Sequence, residues 1–238
     1  MGLDRLRERA ENLRSGRSGS LTIAALPAMA TSFLPRFIAG FCKKRPNVKV
    51  VIDGIPSHLV LECVESGQFD IGLTALAVDR PSLHATKISA KAVVAMPTSH
   101  PLAAKRIVRV TDLEDECLIM LSSRYGHHTT ELALQNIRRR HMIETPLSYV
   151  ASVLVAEGMG LAIVDPYSAS DFTSRGVVLR PFEPVCAIDY SMIQPSIRPP
   201  SILAQEFSSA LLDHIRNFLE RQEYVSDRPS RAGRRRAR

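Results

Sequence analysis

At 238 residues the chain is long enough for one large domain or two small ones, and its 45% apolar content is ample for a core. The formal charge of +7 points first to nucleic acid, but residues 1–19 hold five Arg against Asp4, Glu8 and Glu11, and residues 227–238 hold six Arg against Asp227. The stretch between them is balanced, with 20 basic and 20 acidic residues, so net charge is no argument for a DNA-reading face.

Cys42, Cys63, Cys117 and Cys186 are scattered through apolar segments without CxxC or paired Cys/His spacing. Buried free thiols in a reducing cytosol are expected, and neither a metal nor a cofactor is called for. The N-terminus is charged and lacks an apolar core segment, and no run reaches membrane-spanning length. A cytoplasmic protein without a membrane partner is expected.

Leu3, Leu6, Ala10 and Leu13 mark a short amphipathic helix that stops at the flexible Ser15–Gly19. It reads either as the end of a longer helix or as a fraying terminus. Strands are expected at Leu21–Leu26, Val48–Ile52, Ile71–Thr74, Val93–Met96, Leu118–Leu121 and Leu161–Val164. Phe33, Leu34, Phe37, Ile38 and Phe41 predict the first core helix, with Pro35 tolerable only in its first turn. Ser57 is the expected N-cap of a second helix, Leu59–Ser66, burying Leu59, Val60, Cys63 and Val64 and stopped by Gly67. These elements make a β-α-β-α-β half with parallel strands.

Beyond Ala92 a second half is expected. It has a helix from about Thr129 to His141, a helix from Ser148 to Glu157 and an extended return over Ala187–Ile193. Leu203, Phe207, Leu211, Ile215 and Phe218 predict a last amphipathic helix, and residues 226–238 read as a disordered basic tail. The expected division is 19–92 plus 194–225 as the first subdomain and 93–193 as the second, after a linker helix over 1–18. The fold class is α/β: two Rossmann-like subdomains joined by two crossover strands, of the periplasmic-binding-protein type II-like kind. Strand-to-helix corners in such a fold line a crevice into which helix N–H groups point, which favours a small anionic ligand.

Several local signatures resemble the effector-binding domain of LysR-type transcriptional regulators. They are Glu11-Asn12-Leu13-Arg14-Ser15-Gly16 leading into Gly19–Ile23, Leu34-Pro35 with Phe41, and Arg45-Pro46-Asn47-Val48. Gly67-Gln68-Phe69-Asp70, Ser99-His100-Pro101-Leu102, Thr111-Asp112-Leu113 and Val155–Val164 continue the match in order. Gly54–His58, Leu147-Ser148-Tyr149 and Val164-Asp165-Pro166 are most similar to the branch that senses opines and related amino-acid derivatives.

The resemblance implies a domain that binds a small amino-acid-like or opine-like effector in the cleft between subdomains, dimerises or tetramerises, and passes the change to DNA-binding domains. The family's helix-turn-helix is expected before Leu3 and is not in this sequence, so promoter DNA would be reached only through a part absent here. Alternative readings are a transporter's solute-binding protein and a non-functional truncated regulator. A two-lobed enzyme would need a catalytic carboxylate, Lys or Cys cluster, which cannot be assembled from the chain, so no catalytic residue is named.

The expected effector contacts are Ala28, Met29 and Ala30 after the first strand, Ser57 at its helix start, and Thr74 at the crevice floor. From the second half come Ser123, Ser148 and Asp165. Ala28–Ala30 occupy a position where the resemblance implies a polar contact, and their apolar side chains leave backbone N–H or packing. Ser57 reads equally as a structural cap. Asp165 would pair with an amino or guanidinium group, or else cap the helix begun by Pro166. His127-His128 carries no metal-ligand spacing.

Overall fold

The computed structural model describes residues 18–122, 128–138 and 140–226. The linker helix expected near residues 3–14, Ser123, His127 and residues 227–238 lie outside them. In chain order the first elements are β1 (Ser18–Ala25), α1 (Leu34–Lys43), β2 (Asn47–Gly54), α2 (Ser57–Glu65), β3 (Ile71–Thr74), β4 (Leu83–Lys91) and β5 (Val93–Pro97). Then come β6 (Val108–Arg109), β7 (Cys117–Leu121), α3 (His128–Leu134), β8 (His141–Thr145) and α4 (Ser148–Ala156). The chain continues with β9 (Leu161–Val164), α5 (Pro166–Ala169), β10 (Val177–Glu183), β11 (Ala187–Pro195) and α6 (Ile202–Ser226). Packing separates two units: the described residues up to Ile88 with Asp189–Arg216, and Ser89–Ile188 with the described residues from Asn217.

The first unit holds a five-stranded sheet in the order β2-β1-β3-β11-β4. β1 runs parallel to β2 from Ser18↔Asn47 to Ala25↔Gly54, and parallel to β3 from Ile23↔Ile71 to Ala25↔Leu73. β11 returns antiparallel to β3. Parallel neighbours require helical crossovers, which α1 and α2 provide. Strands covered on both faces become apolar throughout, so Leu21, Ile23, Ala24 and Ala25 of β1 and all of β3 are buried.

α2 sits close on β3 because residue 72 is glycine. A Cβ there would lie 2.6 Å from Ile193 Cγ1 and 2.8 Å from side-chain methyls of both Val60 and Val64. Seating those two valines rotates the helix, so its buried residues are Val60, Leu61 and Val64. The expected Leu59 and Cys63 are turned partly outward, Leu59 to 37% exposure. Gly67, at φ +74°, ends the helix as expected. Its N–H donates to Val64 O and that of Gln68 to Cys63 O, at 3.0 and 2.9 Å, the pairing of a Schellman stop.

α1 packs on α6 through Phe37, Phe41 and Phe207. The Phe207 ring meets each of the other two edge-on at a centroid distance of 5.1 Å. Arg45, just past α1, lies 4.1 Å over the Phe41 ring and pairs with Glu206 at 2.8 Å. Pro35 is the second residue of α1, in its first turn as expected. Helix already begins at Pro27, and a π-helical turn over Met29–Phe33 leads into α1.

The second unit holds a six-stranded sheet, β6-β10-β5-β9-β7-β8, in which β7 is parallel to β8 and β9, and β5 is antiparallel to β9 and β10. Its core gathers Ile119, Leu121, Ala151, Val155, Val164 and Phe172. The helix expected to run to His141 ends at Leu134, and His141–Thr145 instead pairs with β7 from Cys117↔His141 to Leu121↔Thr145. The buried strand β7 pairs its peptide groups with β8, and that pairing outweighs local helix preference. Three of the four cysteines, Cys42, Cys63 and Cys117, are only half-buried; Cys186 is buried, and burial pushes its thiol pKa up. Among the described residues no helix is long and apolar enough to cross a membrane.

Candidate functional site at the strand ends

Each sheet contains one place where the chain reverses its direction of strand addition. In the first unit, β1 is followed by β2 on one side and β3 on the other; in the second, β7 is flanked by β8 and β9. Carboxyl ends of parallel strands at such a reversal are where open α/β sheets bind ligands, because adjacent loops diverge and helix starts face the gap.

The corner of the first unit is tied together by its backbone. Leu26 N–H donates to Leu73 O and Ile55 N–H to Ala25 O, both at 2.9 Å. Leu26-Pro27 and Ile55-Pro56 each end a strand and open a helix, with the fixed proline φ suited to both tasks. This corrects the expected role of Ser57: Pro56 occupies the N-cap position of α2, and Ser57 is the first helical residue.

The Ser57 side chain reaches across to β3 instead. Its Oγ accepts the Ala75 N–H at 3.1 Å, and its carbonyl accepts the Thr74 hydroxyl at 3.3 Å. Thr74 Oγ1 in turn accepts the Leu76 N–H at 3.1 Å and is fully buried, so Thr74 holds the corner from below. The first intrahelical bond of α2 is Val60 N–H to Pro56 O, which leaves the N–H groups of Ser57, His58 and Leu59 without an acceptor inside the helix. Ser57 keeps a hydroxyl proton to donate beside them.

Met29 and Ala30 do not supply backbone donors, because both of their N–H groups donate to Leu26 O at 3.0 Å. The Met29 side chain is fully buried, and Ala28 and Ala30 are half-buried. The Ala30 methyl lies 3.3 Å from where a Cβ on Gly54 would stand.

In the second unit Ser122 N–H donates to Thr145 O at 3.1 Å, and Thr145 Oγ1 accepts the Leu147 N–H at 3.3 Å. Ser148 is the first residue of α4 rather than its cap, which is Leu147, and its carbonyl accepts the Ser152 hydroxyl at 2.9 Å. Ser148 was expected to cap this helix and to contact the effector; pairing of β8 fixes where the chain turns, and Thr145 positions the start of α4. Thr145 was missed with its strand; its signal was the Thr-Pro-Leu-Ser run.

Asp165 is fully buried and caps α5, its Oδ1 accepting the Ser168 N–H at 2.8 Å. The capping alternative is therefore observed, with the carboxylate favoured by the helix dipole. Burial, and then the Asp165 charge, push the neighbouring Tyr167 phenol far above its usual pKa, so it stays protonated. Among the described residues no three His, Cys, Asp or Glu side chains could hold a metal ion.

Replacing Ser57 by alanine strands the part-buried Ala75 N–H. It is expected to lower stability by about 1 kcal/mol, measured by urea unfolding of the two proteins.

The model of the LysR substrate-binding domain matches residues 14–216. The chain belongs to that family. It is 36% identical over 219 residues to the regulatory protein NocR of Agrobacterium tumefaciens strain T37, covering 90% of this chain and 73% of that one. It is 34% identical over 212 residues to the octopine catabolism/uptake operon regulatory protein OccR of Rhizobium meliloti, covering 88% and 70%. Among solved structures, the BenM effector-binding domain with its effector benzoate superposes with a TM-score of 0.63 at 19% identity, covering 86% of this chain and 94% of that one. The LysR-type effector-binding domains have the periplasmic-binding-protein type II-like fold, and the two α/β sheets described above are of that kind. LysR regulators bind small-molecule effectors, act as oligomers and contact DNA through a helix-turn-helix domain. This chain is the substrate-binding domain of such a transcriptional regulator.

Proposed function

We propose that the effector is an amino-acid-derived metabolite of the opine kind, and that its carboxylate is held at the start of α2. The observation that carries this reading is the conjunction at Ser57: a half-buried hydroxyl with a proton to donate, beside the N–H groups of His58 and Leu59, at the carboxyl ends of β1 and β3. Such a corner suits an anionic oxygen, which gains charge-assisted hydrogen bonds and the helix dipole. The name of OccR supports the opine class. Ala28 and Ala30 contribute small apolar walls and Thr74 positions Ser57; Ser148 and Asp165, with Ser123, are the corresponding polar residues at the strand ends of the second unit. Asp165 acts through the helix it caps.

The domain binds its effector without turning it over, and it works in the cytoplasm as part of a homo-oligomer. The regulator relatives and the four free thiols support this. No cofactor enters the reading. A thermal-unfolding series with octopine, related arginine-derived opines and the parent amino acids tests it. At a hundredfold excess over Kd, a true effector raises stability by about 2.7 kcal/mol, whereas unchanged midpoints across the series would reject the opine class.

A further inference from the structure

We propose that Pro35 is a positioning residue for the effector corner: it holds the π-turn that keeps Met29 in the core and leaves the corner lined by Ala28 and Ala30. The inference rests on the reading of that corner given above, and it concerns residues that make no polar contact with a ligand.

The argument begins with spacing. α1 buries Leu34, Phe37 and Phe41, which fixes the rotation of the helix against Phe207. In an unbroken α-helix the residue sharing a face with Leu34 is four positions back, which is Ala30. The structure buries Met29 instead, five positions back. The extra residue is absorbed in the π-turn, whose closing bond runs from Leu34 N–H to Met29 O. One inserted residue rotates everything before it by about 100° around the axis.

Chemistry explains why the turn closes this way. Pro35 has no N–H for the carbonyl four or five residues back, Thr31 or Ala30, and its ring would clash with the Thr31 carbonyl in α geometry. Widening the preceding turn removes the clash. Thr31 and Ser32 brace the widened turn, their hydroxyls donating to Pro27 O at 2.8 Å and Ala28 O at 3.0 Å. The chain entering the turn is anchored too, through Leu26 N–H on Leu73 O. Were the helix to relax to α geometry between these anchors, Ala30 would turn inward and Met29 would rotate by about 100°, from the core to its edge above the buried Phe33. A flexible thioether would then cover the small-residue wall beside Gly54, where the Ala30 methyl now packs.

Mild peroxide oxidation with peptide mass spectrometry tests this on the full chain. Met159, 46% exposed, is the internal standard for a reactive methionine, and fully buried Met96 reports unfolding. In the parent, Met29 is expected to oxidise at least about tenfold more slowly than Met159. In Pro35→Ala it is expected to approach the Met159 rate while Met96 stays protected.

Deleting Thr31 in the Pro35→Ala background brings Met29 and Leu34 to the four-residue spacing and is expected to restore protection. This double variant also decides the matter if Pro35→Ala alone fails to fold. Octopine affinity is expected to fall at least about tenfold in Pro35→Ala and to recover in the double variant. Met29 staying protected in Pro35→Ala, or exposed in the double variant, overturns the role of Pro35. So does an octopine affinity that ignores Met29 exposure. An absence of octopine binding by the parent counts against the opine reading alone, since the oxidation pattern still decides how Pro35 shapes the corner.

Discussion

Gly160→Ala is expected to destabilise the second unit by on the order of 3 kcal/mol or more. Gly160 precedes β9 with φ at +149°, a backbone conformation that L side chains rarely adopt. A Cβ there would stand 2.2 Å from the Cys117 carbonyl oxygen and 3.0 Å from its carbonyl carbon. Both are backbone atoms of the paired strand β7, so no side-chain rotation relieves the contact. β9 and β7 would have to part at Leu118↔Leu161, the first pair of their ladder. Urea unfolding measures the loss, and a change below about 0.5 kcal/mol would contradict it. Gly40→Ala is the matched control. Gly40 is exposed within α1 with nothing within 4 Å of its added Cβ, so alanine there is expected to stabilise by roughly 0.5–1 kcal/mol.

The second large effect is expected at Phe207, which is fully buried and makes edge contacts with both Phe37 and Phe41. Phe207→Ala leaves a cavity among aromatic rings and is expected to cost about 3–5 kcal/mol, read from urea unfolding. Each lost ring pair accounts for about 0.5–1.5 kcal/mol beyond area burial. Phe207→Leu fills most of the volume and is expected to recover more than half of the loss. Equal losses for alanine and leucine would mean that a cavity is not the cause.

Strands buried on both faces were legible because their short apolar runs stop at polar or turn residues, Asp70 and Thr74 for one, Gly160 and Asp165 for another. Ile71–Thr74 and Leu161–Val164 agree with the structure at both ends. The Gly67 stop was legible for the same reason, being a local conformational demand. β8 and β10 were not, since pairing with distant strands decides them: His141–Thr145 contains only two apolar residues, and Val177–Glu183 carries Arg180 and Pro181. The π-turn was hidden because it depends on two anchors, β1 and the Phe207 cluster, that the local sequence does not show.

At the site, the corners were legible and the roles of single residues were not. Ser57 and Ser148 carry the composition of caps, yet the residues before them hold that position, and each serine becomes the first residue of its helix. The distinction rests on one residue of register. Thr74 and Asp165 illustrate the other difficulty. Both are polar residues at strand ends, and both are fully buried and engaged with backbone amides. Sequence alone does not separate a side chain that touches a ligand from one that holds the loop that does.

Isothermal titration of octopine into the parent chain and into Ser57→Ala tests the effector-corner reading most directly. The account predicts saturable binding with one site per chain, and an affinity about tenfold lower in Ser57→Ala. Saturable binding that is indifferent to Ser57 would move the carboxylate away from α2. No binding of octopine, of other arginine-derived opines or of the parent amino acids would contradict the account outright.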